Sequence, residues 1–504
     1  MMVNRFKLPG TWFWLSGSLI TVVAAVSILM NADRSSPPRY DGASYAVLGR
    51  ALAEGQGYRD VFAPEPARHT HFPPGYPLGL ASLWRFLEPS SESAHIFSVA
   101  CTIVAIFLAW LWFRSMYTNR IALGAALALA INWTWGRTGG LILSEPLFFL
   151  IDQAAILYGV RVGRRGGVGR GMILGALLGL GVLTRHVAIT LVLAMGIELI
   201  LRRRTASLFG MGLASFVLVL PWVVWLMSSP HRNQAGLFTG DGLASLIGHQ
   251  AVFYLQRLPD QWVGPIVEIG TEVARSPILL IVVNLWAVLA TSLIGWGWVR
   301  TLRSPRRRLA GLVPLATLPL LLIWPFTEAG RFLIPLVPCL IVGAIEGLAR
   351  PAAWLGFRRP RAWAALVVVT ASLPYPAYAI IAGRAEARRL ADRPFDEACR
   401  WISRHGGRPG PVLSMHPAEV YWTTGRVGLG VNPDDPEEAA RSIDRLGVAY
   451  LLIDDNRYAR SPANPIAQFI ERHPDRVRQV WRRDAGASSV CIYEVIPELE
   501  NAAP

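Results

Sequence analysis

The stretch TWFWLSGSLITVVAAVSILMNADRSSPPRYDGASYAVLGRALAEG, residues 11–55, decides the fold. Its first part, Thr11–Asn31, is apolar and long enough to cross a bilayer core about 30 Å thick as a helix. No convincing small-residue cleavage site follows it, so it is expected to stay in place as a signal anchor. The second part leaves the apolar run and sets a carboxylate, Asp41, near its end. Asp41 opens a polar stretch of about sixty residues, too long to be a mere connection.

Working outward, the same apolar signature recurs. The runs are Ala94–Phe113, Ile121–Trp135, Leu141–Val160, Gly171–Thr184, His186–Leu201, Ala206–Met227, Ile278–Val299, Leu309–Phe326, Phe332–Ala349 and Ala362–Ala382. With the first they make about eleven spans. The 504-residue chain is 53% hydrophobic and 16% charged, with a mean hydropathy of +0.37. That composition excludes a soluble globular protein and points to a polytopic α-helical membrane protein. Nineteen tryptophans suit its many interfaces.

Arginine sets the expected orientation. Arg5 and Lys7, Arg114 and Arg120, Arg161 to Arg170, Arg202 to Arg204, Arg300 to Arg308 and Arg350 to Arg361 fall in alternate loops. The positive-inside rule makes that side cytoplasmic, with the N-terminus inside. The loops 32–93 and 228–277 and the tail 383–504 are then outside. The net charge of +15 is mostly this topological excess and a contact for anionic headgroups, not a nucleic-acid footprint.

Two domains are expected: a transmembrane domain, 1–382, with both outer loops, and a small extracytoplasmic α/β domain, 383–504. In the first loop, Ala43–Glu54 and Leu78–Leu87 read as short amphipathic helices. Pro73-Pro74-Gly75 between them reads as a stiff segment and a sharp turn. The tail alternates helical and strand patterns: Phe395–Arg404, Val412–Met415, Pro436–Leu446, Val448–Ile453, Asn464–Glu471, Val477–Arg482 and Val490–Val495. Asp454-Asp455 at a strand end either binds something or starts a loop. Cys399 and Cys491 lie where a disulfide is chemically allowed, and Cys101 and Cys339 pack inside spans.

Few residues carry the chemistry. Asp41 suits a general base and equally suits a helix N-cap. Glu145 lies one turn into the fourth span, where Pro146 should loosen the helix, and Asp152 follows on the same face. Arg185, His186 and Arg331 stand at outer span ends, against the bias of the other arginines, and a guanidinium fork grips phosphate. Tyr40, Tyr45 and Tyr76 are candidates to stack on a sugar or to anchor in the interface. His71 is a further candidate for substrate contact. His69-x-His71 offers two nitrogens, short of the three or four ligands a zinc site needs, and no metal site is assigned. No phosphate-binding loop, dinucleotide fingerprint or nucleophile elbow is present.

These residues together resemble the GT-C superfamily of lipid-phosphate-sugar-dependent glycosyltransferases, including protein O-mannosyltransferase-like and aminoarabinose-transferase-like enzymes. The resemblance rests on Tyr40-Asp41-Gly42-Ala43-Ser44-Tyr45-Ala46, Pro73-Pro74-Gly75-Tyr76-Pro77-Leu78, Ser144-Glu145-Pro146-Leu147, Leu183-Thr184-Arg185, and Arg331-Phe332 with Pro335 and Pro338. It covers roughly Thr11 to Ala382, with the tail as the usual outer domain. It implies a bacterial cytoplasmic-membrane enzyme that moves a sugar from a polyprenyl phosphate to an acceptor hydroxyl, with inversion. The acceptor would be a glycolipid, a cell-wall polymer or a protein, and no cofactor is required. Asp41 matches the family's acidic residue in this loop. Gly42 stands where many relatives have a second acid, and Phe72 where some have a lysine. Arg185 and Arg331 then become the expected phosphate partners. A competing reading, a transporter or flippase of lipid-linked sugars, would use Glu145 and Asp152 as a coupling pair.

Overall fold

A computed structural model of the chain describes residues 10–31, 36–228, 242–273, 276–325, 327–391, 393–430, 436–454, 464–485 and 488–496. Two units emerge. One comprises 1–32 and 95–384, the other 33–94 and 385–504. The first outer loop, expected with the membrane helices, therefore groups with the tail.

Among the described residues, seven helices are long and apolar enough to cross a membrane, and they make up most of the first unit: Thr11–Leu29, Ser91–Met116, Ser144–Arg165, Thr205–Met227, Pro277–Leu302, Gly330–Trp354 and Pro360–Ala385. Four shorter apolar helices, Asn119–Ala130, Val168–Thr184, His186–Leu201 and Leu309–Ile323, complete the expected set. Two expected spans are interrupted. The third ends at Ala130, because Asn132 turns the chain and caps a separate helix, Trp133–Thr138. The last, Pro360–Ala385, is a span of two helical segments, Pro360–Ser372 and Tyr375–Ala391, jointed at Leu373-Pro374, where Pro374 supplies no N–H to the ladder.

Lipid offers no hydrophobic drive between helices, so close packing must supply it. Val168–Thr184 meets it with small residues four apart: Gly171, Gly175 and Gly179 lie against Ser207, Met211 and Leu218 of Thr205–Met227. A side chain on Gly175 would overlap the Met211 carbonyl. The space instead admits a hydrogen bond of 2.9 Å from Ser215 Oγ to the Gly175 carbonyl.

At the arginine-rich end, buried carboxylates gather the cations. Glu346 accepts from Arg307 (2.5 Å), Arg361 (2.9 Å) and the Tyr117 hydroxyl (3.0 Å). Glu198 pairs with Arg202 and, at 3.3 Å, with Arg308.

In the second unit, five strands form a mixed sheet in the order β2-β1-β3-β5-β4. They are β1 (Val412–Ser414), β2 (Gly428–Leu429), β3 (Tyr450–Asp454), β4 (Val477–Ala485) and β5 (Ser488–Val495). β1 runs parallel to β2 and β3, and β5 antiparallel to β3 and β4. Side chains alternate across the sheet. Val412, Tyr450, Leu452 and Ile492 pack on Phe395 and Ile402 of Pro394–His405. Leu413, Leu451 and Val495 pack on Ile443, Ile466 and Phe469. The α/β reading of the tail holds, with two elements added: helix Pro417–Thr424 and strand β2. No disulfide joins Cys399 to Cys491.

The loop helices are Asp41–Ala53 and Gly75–Trp84. Gly75 begins the second helix and does not form the expected turn, so this helix starts earlier than the Leu78 boundary. Glycine at 49 lets the pair touch, since a Cβ there would press on Leu80 and Trp84 at 3.0 Å.

Gly175→Val should separate the Val168–Thr184 and Thr205–Met227 helices and destabilise the protein by about 1–3 kcal/mol or more. Thermal unfolding in detergent, read beside Gly212→Val, which meets nothing within 4 Å, checks this.

Candidate functional site

The first unit contains one tight charged centre built from expected residues. Glu145 is the second residue of Ser144–Arg165, and its side chain is 1% exposed. Pro146 falls in the helix's first turn, where its missing N–H costs nothing, so it does not loosen the helix as expected. Arg185, the residue that ends Val168–Thr184, places Nη1 2.7 Å from Glu145 Oε1 and donates to Ser144 Oγ at 2.9 Å. Arg331, on the 3-10 segment Glu328–Leu336, binds the same carboxylate through Nε and, at 3.3 Å, through Nη2. Phe332 backs Arg185, with 5.7 Å between guanidinium and ring centroid.

One carboxylate thus orients two guanidiniums, leaving one formal positive charge. The arginine side chains remain 12% and 19% exposed. Glu145, a candidate catalytic residue from its sequence, is thus the shared counter-ion of two arginines. Asp152 stands apart from this pairing: it is buried and accepts from Gln153 Nε2 at 2.7 Å. It lines a cavity of about 20 Å³, room for one water, with Thr190, Thr317 and Phe332. His186 is exposed and accepts from Trp222 Nε1 at 3.3 Å.

Sequence reasoning passed over Arg137 in this unit. It sits on Trp133–Thr138 with its guanidinium 5.8 Å from the Trp133 ring, and among the described residues it pairs with no carboxylate. Its signal was available: like Arg185 and Arg331, it stands beside an apolar run away from the arginine-rich loops.

The second unit holds Asp41. Tyr40, not Asp41, occupies the N-cap, and Asp41 is the first helical residue, partly exposed. Tyr40 has φ 50° and ψ −125°, a backbone conformation unusual for a residue with a side chain. Its N–H donates to Glu419 Oε1 at 2.9 Å. Arg39 Nη2 pairs with Asp396 at 2.9 Å. Arg393 binds Glu419 at 2.6 Å and Asp454 at 3.4 Å, and its guanidinium lies 5.3 Å from the Tyr40 ring centroid. Asp454, left open in sequence, thus has a partner, while Asp455 lies outside the described residues. Burial works against the Arg393 charge, but Glu419, Tyr40 and Asp396 outweigh it and hold its pKa above the ordinary value.

The aromatic candidates divide. Tyr45 and Tyr76 are buried, 3% and 0% exposed, and pack edge to face at 5.2 Å. Tyr40 is 53% exposed. His71 is exposed and meets Phe72 edge-on at 4.5 Å. His69 is not placed as a ligand: Nδ1 contacts Asp60 at 2.6 Å, and Nε2 accepts the Phe72 N–H at 2.9 Å. Among the described residues, no group of three His, Cys, Asp or Glu is placed to hold a metal.

With this geometry in hand, comparison with known proteins is informative. Residues 71–225 match the family model of the dolichyl-phosphate-mannose-protein mannosyltransferases. No curated protein sequence matches the chain. Among solved structures, ArnT from Cupriavidus metallidurans bound to undecaprenyl phosphate superposes with a TM-score of 0.59 at 15% identity, covering 98% of this chain and 99% of that one. The archaeal oligosaccharyltransferase AglB from Archaeoglobus fulgidus, in complex with an inhibitory peptide and a dolichol-phosphate, gives 0.59 at 12% identity, covering 98% and 75%. The Archaeoglobus fulgidus oligosaccharyltransferase tethered with an acceptor peptide gives 0.57 at 14%, covering 88% and 69%.

Glu145→Gln should leave two guanidiniums uncompensated in a buried setting, costing about 3–5 kcal/mol, and the fall in thermal stability measures it. A second prediction concerns His416, whose ring packs edge-on against Tyr40 at 5.4 Å and whose pKa is lowered by burial and by Arg393, against the pull of Glu419 and Asp454. The unfolded chain therefore binds the proton first, and stability falls as pH drops below about 6.5 toward the depressed value. Unfolding followed from about pH 7.5 to about pH 5.5 should show this slope, and His416→Asn should flatten it.

Proposed function

We propose, from its GT-C membrane glycosyltransferase fold, that this chain is a glycosyltransferase taking its sugar from a polyprenyl phosphate. The acceptor oxygen forms a bond to the anomeric carbon as the carbon–phosphate-oxygen bond breaks. The electron pair leaves on the lipid phosphate. Asp41 takes the acceptor's hydroxyl proton, and Arg185 and Arg331 take the phosphate. Attack opposite the leaving group inverts the anomeric centre. The enzyme works in a bacterial cytoplasmic membrane, N-terminus inside, and acts at the outer face on a glycolipid, cell-wall polymer or protein.

One observation carries this reading more than any other. The residue before Asp41 is held in an unfavourable backbone conformation by a buried carboxylate. Such strain costs about 1–3 kcal/mol and persists where a site over-determines it. A helix that merely capped a bundle would have no need of it. The Glu145 centre supports the donor assignment, because two guanidiniums held by one carboxylate keep a positive charge for an incoming phosphate.

Purified protein incubated with a panel of polyprenyl-phosphate sugars should release free polyprenyl phosphate with at least one donor. Asp41→Asn should express normally and lose about 10² to 10⁴ in turnover, the usual worth of a general base. Turnover in Asp41→Asn equal to the parent's would refute the base.

A further inference from the structure

We infer that the tail domain is a working part of the catalytic turn: Glu419, seated on Arg393, is the positioning residue that sets the direction of the Asp41 carboxylate. The inference rests on the assignment of Asp41 as the base and adds what holds it.

Tyr40 at φ 50° and ψ −125° departs from the conformation its side chain prefers, so left alone the turn would relax. Relaxation would rotate the bond leading directly into Asp41. Local hydrogen bonds do not forbid this by themselves, since Gly42 N–H to Arg39 O (2.8 Å) and Ala43 N–H to Tyr40 O (3.1 Å) are ordinary first-turn contacts. The constraint comes from about 380 residues further along the chain. Glu419 is 2% exposed and uses both oxygens, Oε1 on the Tyr40 N–H and Oε2 on Arg393. Arg393, 8% exposed, is itself fixed by Asp454 and lies 3.8 Å from Asp396. Asp396 also takes Arg39. Residues 39 and 40 are therefore each tied to one buried ionic hub.

Packing repeats the message. Ala43 and Val47 of the Asp41–Ala53 helix sit against Ala418, Tyr421 and Trp422 of Pro417–Thr424, the helix that carries Glu419. The apolar contact holds the helix against its neighbour, while the ionic hub fixes the turn at its start. An apolar face alone would suffice to attach the loop to the tail. A buried carboxylate aimed at one backbone N–H is a costlier device, and it specifies a direction. Displacing a catalytic group by about 1 Å can cost about 10² in rate.

The test uses the full chain in lipid nanodiscs. Glu419→Gln keeps an acceptor oxygen but loses the charge that seats it on Arg393. Hydrogen exchange at amides 40–44 should speed up several-fold, while helix Pro394–His405 keeps its protection. With whichever polyprenyl-phosphate sugar the panel identifies, kcat should fall by about 10² with the donor KM unchanged. In the Asp41→Asn background the same change should add no further loss, because Glu419 acts only through Asp41. Unaltered exchange at 40–44, or a loss that multiplies with Asp41→Asn, would overturn the inference. Full turnover by Asp41→Asn would instead overturn the base, and the exchange result then decides the clamp alone. Should Glu419→Gln not fold, Asp396→Asn severs the tie to Arg39 and takes the same readouts.

Discussion

A carboxylate that stays ionised away from water has to bring its counter-charge with it, and that arrangement recurs in both units. Glu145 carries Arg185 and Arg331. Glu346 carries Arg307 and Arg361, and Glu198 carries Arg202 and Arg308. Glu419 carries Arg393. Each acid is nearly inaccessible, and each partner is an arginine, whose fork reaches a carboxylate with two donors and never deprotonates. Pairs of this kind contribute little net stability compared with apolar packing. What they supply is placement, because a buried pair tolerates little deviation in geometry.

The apolar framework was readable because bilayer thickness imposes a length and lipid imposes a composition. All eleven runs correspond to helices, and the misreadings are local. Ile121–Trp135 looked continuous because Ile131 and the tryptophans are apolar, yet Asn132 spends its side chain on the N–H groups of Thr134 and Trp135 and starts a new helix. Helix Pro417–Thr424 was missed because eight residues give too few turns for a period to show. Its ends were nevertheless marked by Pro417 and by Gly425 at φ 69°.

The sites were legible in type and not in pairing. An arginine at a span end away from the arginine-rich loops is conspicuous in sequence, and so is an acid in an apolar run. That Glu145 and Arg331 satisfy each other across 186 residues is a tertiary fact that no local pattern encodes. The same holds for the hub behind Tyr40. Arg393, Asp396 and Glu419 look like ordinary surface charges of a small domain, and only their burial together reveals a joint role. Tyr45 and Tyr76 show the same limit: their sequence does not tell that the two rings meet edge to face and are nearly fully buried.

Charge arithmetic then bears on the donor. On the glycosyltransferase reading, a sugar joined to a lipid phosphate carries one negative charge on that phosphate, and the departing lipid phosphate approaches two. The charge grows by about one unit along the reaction. The Glu145 centre offers two guanidiniums and one carboxylate, a surplus of one. A centre without Glu145 would carry two positive charges and hold the singly charged donor more tightly at the start, and attraction already present in the ground state raises no rate. With Glu145 present, the two guanidiniums are oriented in advance, so they need no reorganisation as charge develops on the leaving oxygen. The carboxylate that seems to spoil a phosphate site is, on this reading, what fixes the direction of its cations.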